Sequence, residues 1–185
     1  MIIEDNFFTE QEQKIINDNI LTNTFPWFAQ DFSTSVKFPY FSHVGLARKL
    51  DKPNSIFFDF FKSIAERFCK THKLKIKKIH RHALNLSYCF PKFKHTDPHV
   101  DHSFKHKVLM FYLTPDSTGS TLLFNKKHKK GESPVLLLEK NPKLKILHKI
   151  EPKQFRVACF DGLQFHAAEF PKGNRQRIVS VMTFN

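Results

Sequence analysis

From about residue 77 onward the chain breaks into short apolar runs bounded by turn residues, at about 78–89, 106–114, 120–125, 134–139, 144–149, 154–160, 163–169 and 176–184. Strands at this regular spacing, with no helical period between them, argue for an all-β sandwich or barrel-like roll. No internal repeat or flexible linker divides them. Residues 1–185 therefore read as one domain, with a β core over 77–185 and a mostly helical support region over 1–76. That length suffices to bury one core without disulfides or a structural metal.

The support region carries two helical signals. Thr9 with Glu12 makes a capping box, and Ile15, Ile16 and Ile20 give one apolar face to a helix over about 9–21. Asn54 or Ser55 can cap a second helix running to about Lys70, with Phe57, Phe58, Phe61, Ile64, Ala65 and Phe68 on its buried side. Both should back the sheet. Between them lies a loop rich in aromatics and prolines, around Phe25-Pro26-Trp27-Phe28 and Phe38-Pro39-Tyr40-Phe41. The 22 phenylalanines, several paired at helical spacing, are read as core filling rather than a platform for stacking a ligand.

Cys69, Cys89 and Cys159 are odd in number, far apart and set in apolar surroundings, which suits reduced thiols in a reducing compartment. No basic segment precedes an apolar stretch at the N-terminus, and no run reaches about eighteen apolar residues, so a soluble cytoplasmic protein is expected. The formal net charge of +13, with lysines clustered in 70–80, 92–107, 126–130 and 140–153, would attract nucleic acid or another polyanion. No recognised nucleic-acid-binding motif accompanies the charge, and a Lys-, Asn-, Ile- and Phe-rich composition is also what an AT-rich coding genome produces.

The chemistry concentrates in His99-Val100-Asp101, His166 and Arg177. Alternate residues of an extended segment point to one side, so His99 and Asp101 can reach one metal, and His166 can supply a third ligand from a second extended run. Two imidazoles and a carboxylate on one face of an octahedron leave the other positions open, as a non-haem iron(II) centre requires. Arg177 opens the last strand, where its guanidinium can clamp a carboxylate in bidentate fashion. Arg175 has the same strand parity and is the alternative. A second pair, His95 and Asp97, competes with His99 and Asp101. The later pair, which lies closer to the next β run, is the one favoured by the resemblance set out below. Tyr88 and Asn85 precede the site with opposite parity, so only one should point inward. His102, His106 and His128 lack the Cys pairs or helical spacing of a structural zinc site. No Gly-X-Ser-X-Gly segment and no Gly-rich phosphate loop occurs among only five glycines, which removes the support for nucleophilic catalysis or nucleotide binding.

An ordered series of segments carries a resemblance: Tyr88-Cys89-Phe90-Pro91, His99-Val100-Asp101, Val108-Leu109-Met110-Phe111-Tyr112-Leu113-Thr114, Gly119-Ser120-Thr121, Phe160-Asp161-Gly162 leading to His166, and Arg177-Ile178-Val179. Over about 80–184 the chain resembles the 2-oxoglutarate- and Fe(II)-dependent dioxygenases, on the prolyl-4-hydroxylase-like branch that includes small phage-encoded members. The resemblance implies a mostly β fold with N-terminal helices around a double-stranded β-helix (jelly-roll, cupin-like) core. It implies Fe(II) held by His99, Asp101 and His166, 2-oxoglutarate as co-substrate, and O2. Arg177 would bind the distal carboxylate, with the Tyr112 hydroxyl on the same group, Thr121 nearby, and Tyr88 and Arg175 as further candidates for the pocket. Thr114 departs from the usual Asn after Tyr-Leu, and Ser120 from a second Gly before the Thr.

The implied reaction couples decarboxylation of 2-oxoglutarate to succinate with hydroxylation of a C–H bond. Peptidyl proline in a peptide or protein is the first acceptor by resemblance, and a nucleic-acid base the second by charge. The alternatives are a non-catalytic polyanion-binding protein on a degenerate oxygenase fold, or a cupin-like metal enzyme that needs neither Arg177 nor Arg175.

Overall fold

The computed structural model describes residues 1–30, 40–137, 140–141, 143–173 and 175–185. In chain order the elements are β1 (Ile2–Glu4), α1 (Glu10–Asn19), β2 (Phe28–Gln30), β3 (Tyr40–Leu46), α2 (Phe57–Thr71), β4 (Ile79–Tyr88), β5 (Lys107–Tyr112), β6 (Thr121–Lys127), β7 (Ile146–Ile150), β8 (Val157–Asp161), β9 (Gln164–Ala168) and β10 (Gln176–Phe184). They form a seven-stranded sheet in the order β1-β8-β5-β10-β4-β3-β2 and a three-stranded sheet in the order β7-β6-β9. Neighbouring strands in both sheets pair antiparallel.

Alternation along the central strands sorts two cores. On β5 and β10, Leu109, Phe111, Ile178, Met182 and Phe184 face the helices and pack with Ile16 of α1 and Phe61, Ile64 and Phe68 of α2. The intervening residues Val108, Met110, Tyr112, Val179 and Val181 face the small sheet, where they meet Leu123 of β6 and Ile150 of β7. Each fully buried Phe or Leu contributes roughly 1.5–3 kcal/mol, so apolar burial is what attaches the helices to the sheet. Val100 and Leu136 cover the outer face of the small sheet at Leu122, Phe124, Phe165 and Ala167.

The α1 capping box forms as expected: Thr9 Oγ1 accepts from Glu12 N at 3.2 Å, and Glu12 Oε2 accepts from Thr9 N at 2.8 Å. At α2 the cap position is Ile56, which makes no side-chain bond, and Ser55 Oγ instead accepts from Phe57 N at 3.2 Å. The expected support region also contributes three strands. Short β1 pairs with β8, while β2 and β3 extend the large sheet beyond β4. The aromatic loop expected around Phe28 and Tyr40 is therefore partly strand, and Phe38 and Pro39 lie outside the described residues. The expected run at 134–139 is represented among the described residues by an isolated bridge from Val135 to His99. Ser133 explains part of this, because its hydroxyl bonds both the N–H and the carbonyl of Val135 in a local turn. Residues 138 and 139 lie outside the described set.

Cys69 and Cys159 are buried, Cys89 is half-buried, and all three are free thiols. Among the described residues no helix is long and apolar enough to cross a membrane.

Candidate functional site

Between the two sheets lies a cavity of about 310 Å³, and its walls carry most of the side chains singled out by the sequence. His99 and His166 come together through the backbone. His99 N donates to the His166 carbonyl at 2.8 Å and His166 N to the His99 carbonyl at 2.9 Å, so the loop segment adds to the free edge of β9. Their rings sit 4.7 Å apart. Asp101, two residues on, places Oδ2 3.5 Å from His166 Nε2, with its side chain only 6% exposed.

Each imidazole is oriented from behind. His99 Nδ1 donates to the Asp97 carbonyl at 2.9 Å and His166 Nδ1 to the Gln164 carbonyl at 3.0 Å. A carbonyl only accepts, so both rings carry their proton on Nδ1 and present a bare Nε2 when neutral, as metal-binding histidines do. Desolvation, then the neighbouring His166, push the His99 pKa down to about 4, which keeps that ring neutral at pH 7. Burial works to raise the Asp101 pKa, but its cationic neighbours, His166 when protonated and then Arg81, hold it well below the usual carboxylate range. Asp101 is thus an anion in an enclosed site.

The carboxylate has two further neighbours. Arg81 Nη1 and Arg48 Nη2 approach the same Asp101 Oδ1, at 3.3 and 3.4 Å. Among the described residues no three His, Cys, Asp or Glu side chains form a ready-made metal-binding group. With the carboxylate drawn toward two guanidiniums, a metal ion would have to compete for it.

Thr121 and Arg177 of the cavity wall belong to a buried polar cluster that Tyr112, itself behind the wall, completes. Tyr112 OH donates to Thr121 Oγ1 at 2.7 Å, and Arg177 Nη2 donates to the same oxygen at 2.9 Å. The Arg177 guanidinium lies 5.6 Å above the Tyr112 ring, and its Nε has no partner. Arg177 is 3% exposed, and desolvation pushes its pKa down, partly offset by Tyr112. A fully buried cation with an unused donor, next to two hydroxyls, is suited to an anionic ligand. Thr114, at the Asn departure, accepts from Ile178 N at 2.6 Å and so ties the end of β5 to β10 beside Arg177.

Register decides the remaining candidates. On β4, Arg81, Asn85 and Ser87 line the cavity, while Tyr88 is 48% exposed and packs edge-on against Phe41. Arg175 precedes β10, donates to the Asp116 carbonyl and lines a separate surface depression with Thr114 and Asp116. His95 and Asp97 do not line the cavity, although Asp97 lends its carbonyl to His99. Arg48, Arg81, Ser87 and Thr96 are cavity residues that sequence reading did not select. Arg81 and Ser87 carried a usable signal, since they share the strand parity of Asn85. Arg48 carried none.

No protein-family model matches the sequence, and no curated protein matches it. Solved structures do match in fold. An oxidoreductase of the 2OG-Fe(II) oxygenase family from Burkholderia pseudomallei superposes with a TM-score of 0.67 at 11% identity, covering 99% of this chain and 84% of its own. A prolyl hydroxylase from Trichoplax adhaerens, in complex with a hypoxia inducible factor oxygen degradation domain peptide fragment, gives 0.63 at 12% identity, with 99% and 82% covered. HygX from Streptomyces hygroscopicus, with nickel and 2-oxoglutarate bound, gives 0.60 at 7% identity, with 100% and 82% covered. The chain has the fold of the 2OG-Fe(II) oxygenases: mostly β, with antiparallel sheets and, among the described residues, two helices.

Proposed function

We propose that the chain is an Fe(II)- and 2-oxoglutarate-dependent dioxygenase that hydroxylates a C–H bond of an acceptor molecule, with residues 1–185 acting as one oxygenase domain. The observation that carries this reading is one cavity lined both by His99, Asp101 and His166 and by the buried, underused Arg177. Two imidazoles with bare Nε2 atoms and one carboxylate suit iron(II) while leaving coordination positions for a co-substrate and O2. Iron with 2-oxoglutarate as reductant would supply the oxidising power that no side chain here possesses.

The protein's part is positioning. His99, Asp101 and His166 would hold the metal. Arg177 would grip the distal carboxylate of 2-oxoglutarate, with the Tyr112 and Thr121 hydroxyls completing its hydrogen bonds. Val108, Met110, Val179 and Val181 close the cavity wall around these groups and keep water from it. Tyr88 and Arg175, outside the cavity, have no role in this reading.

Peptidyl proline is the first candidate acceptor, supported by the fold shared with a prolyl hydroxylase that holds a peptide. The test is anaerobic iron titration followed by succinate formation from 2-oxoglutarate in air, with a proline-containing peptide present. Metal-dependent succinate that disappears in His166→Ala supports the reading. No iron uptake, or full activity in His166→Ala, refutes it.

A further inference from the structure

Two arginines at the cavity are not used by the reading above. Arg81 lies on β4, on the face it shares with Asn85 and Ser87, and its side chain is 17% exposed. Arg48 follows β3 and is 50% exposed, so the pair runs from solvent toward the metal-binding residues. Both reach the same oxygen of Asp101, at 3.3 and 3.4 Å, and neither makes the bidentate pair that guanidinium and carboxylate prefer. Each guanidinium has five N–H donors. Among the described residues Asp101 is the one carboxylate that either meets, and one anion cannot neutralise two cations.

The charge of the whole cavity points the same way. Among the described lining residues there are three arginines, Arg48, Arg81 and Arg177, against the single carboxylate of Asp101. A divalent metal and a dianionic 2-oxoglutarate would cancel one another and leave that excess of two positive charges unchanged. Metal binding would also engage Asp101, weakening its hold on both guanidiniums. Uncompensated cations in an enclosed site are costly, and the neutral polar wall of Tyr40, Asn85 and Ser87 can solvate an anion without neutralising it.

We infer that the acceptor carries an anionic group, carboxylate or phosphoryl, received by Arg48 and Arg81 at the cavity mouth; this rests on the oxygenase reading of the same site. The anion would anchor the acceptor beside Asp101, so that a C–H bond near the charged group faces the metal.

The test uses the full chain loaded with Zn(II), a redox-inert substitute, and saturating 2-oxoglutarate, which occupies Arg177. Inorganic phosphate and N-acetylglycine are titrated calorimetrically, with uncharged N-acetylglycinamide as control. Their two arms separate a phosphoryl from a carboxylate preference. Saturable binding of at least one anion, and none of the amide, is expected. Arg48→Gln and Arg81→Gln should each weaken it about tenfold or more, as loss of a hydrogen bond to a charged group predicts. Arg48→Lys should restore part of it. Arg48 is half-exposed, so its Gln variant should keep the fold, bind Zn(II) at least as tightly because one competitor for Asp101 is gone, and match the parent protein in 2-oxoglutarate affinity. Anion binding that is absent from the parent protein, or that stays at the parent's affinity in both Gln variants, overturns the inference while leaving the oxygenase reading intact. Failure of the parent protein to take up Zn(II) or 2-oxoglutarate overturns the oxygenase reading and this inference with it.

Discussion

Replacing Arg177 by Met should have opposite effects on stability and on ligand binding. The guanidinium is 3% exposed, Nε has no partner, and the hydrogen bond given to it is the 2.9 Å contact with Thr121. Its position 5.6 Å above Tyr112 returns about 2 kcal/mol as a cation–π contact, the value for a desolvated pair. Against this stands a desolvation cost of several kcal/mol for a buried ion without a counter-ion. Met fills a similar volume and keeps an apolar contact with the Tyr112 ring. The metal-free variant should therefore be as stable as the parent protein or more so, by about 1–3 kcal/mol, where a typical core substitution destabilises by about 1 kcal/mol. Binding of 2-oxoglutarate should move the other way. Loss of a buried charge-assisted pair costs about 3–5 kcal/mol, or on the order of a hundredfold to a few thousandfold in affinity at 1.4 kcal/mol per tenfold. Urea unfolding of the metal-free protein and calorimetric titration of 2-oxoglutarate into the Zn(II)-loaded protein measure the two quantities. A variant destabilised by more than about 2 kcal/mol would mean that Arg177 is a structural cation already satisfied by its surroundings. An affinity within about threefold of the parent would remove it from the co-substrate site.

Thr121→Val leaves both Tyr112 OH and Arg177 Nη2 without their shared acceptor, so it should destabilise the protein by about 1–3 kcal/mol despite its matched shape; unchanged urea midpoints would contradict this. Gly45→Ala would set a Cβ 2.1 Å from Nδ1 of the fully buried His82, whose Nε2 is fixed 2.9 Å from Ser180 Oγ. A loss of about 1–3 kcal/mol is expected from this overpacking, and a variant that melts with the parent would show that the ring can retreat. Burial, then Arg81 and His43, push the His82 pKa from 6.5 down to about 3. Because the folded-state value is the lower one, the unfolded chain takes up the proton first. The His82 contribution is then complete above pH 6.5 and lost as pH falls toward 3, with a slope of up to about 1.4 kcal/mol per pH unit. Urea unfolding between those limits should show a shallower slope in His82→Gln, and equal slopes would refute the assignment.

The β core was legible from residue 77 onward because its central strands have a buried face on each side, and apolar runs of that length have few other uses. The strands that went unread obey weaker patterns. Ile2–Glu4 is too short for alternation to show, and Tyr40–Leu46 has an irregular burial pattern and Gly45 within it, where the ring of His82 packs. At the site, His99, Asp101 and His166 stood out through residue type and local spacing. The contacts of Arg48 and Arg81 with Asp101 span 53 and 20 residues; Arg81 is marked only by sharing the parity of Asn85, and nothing marks Arg48 among the 30 Lys and Arg residues of the chain. A long-range pairing of common residue types leaves no local trace.

The two arginine candidates show what strand parity can and cannot decide. Arg175 and Arg177 are equivalent by alternation, and both follow a turn toward an apolar strand. Parity fixes a side-chain direction only where a hydrogen-bonded ladder holds the backbone, and the β10 ladder begins at Gln176, paired with Tyr88. Arg177 is inside it, opposite Ser87, and shares the inward face with Val179 and Val181. Arg175 is one residue outside, free to turn toward the Asp116 carbonyl on the surface. The same ladder separates Asn85 from Tyr88, since Asn85 pairs with inward-facing Val179 and Tyr88 with the first residue of the strand. Where a ladder starts is set by cross-strand pairing between residues about ninety apart in sequence, a non-local cooperation that periodicity within one segment does not contain.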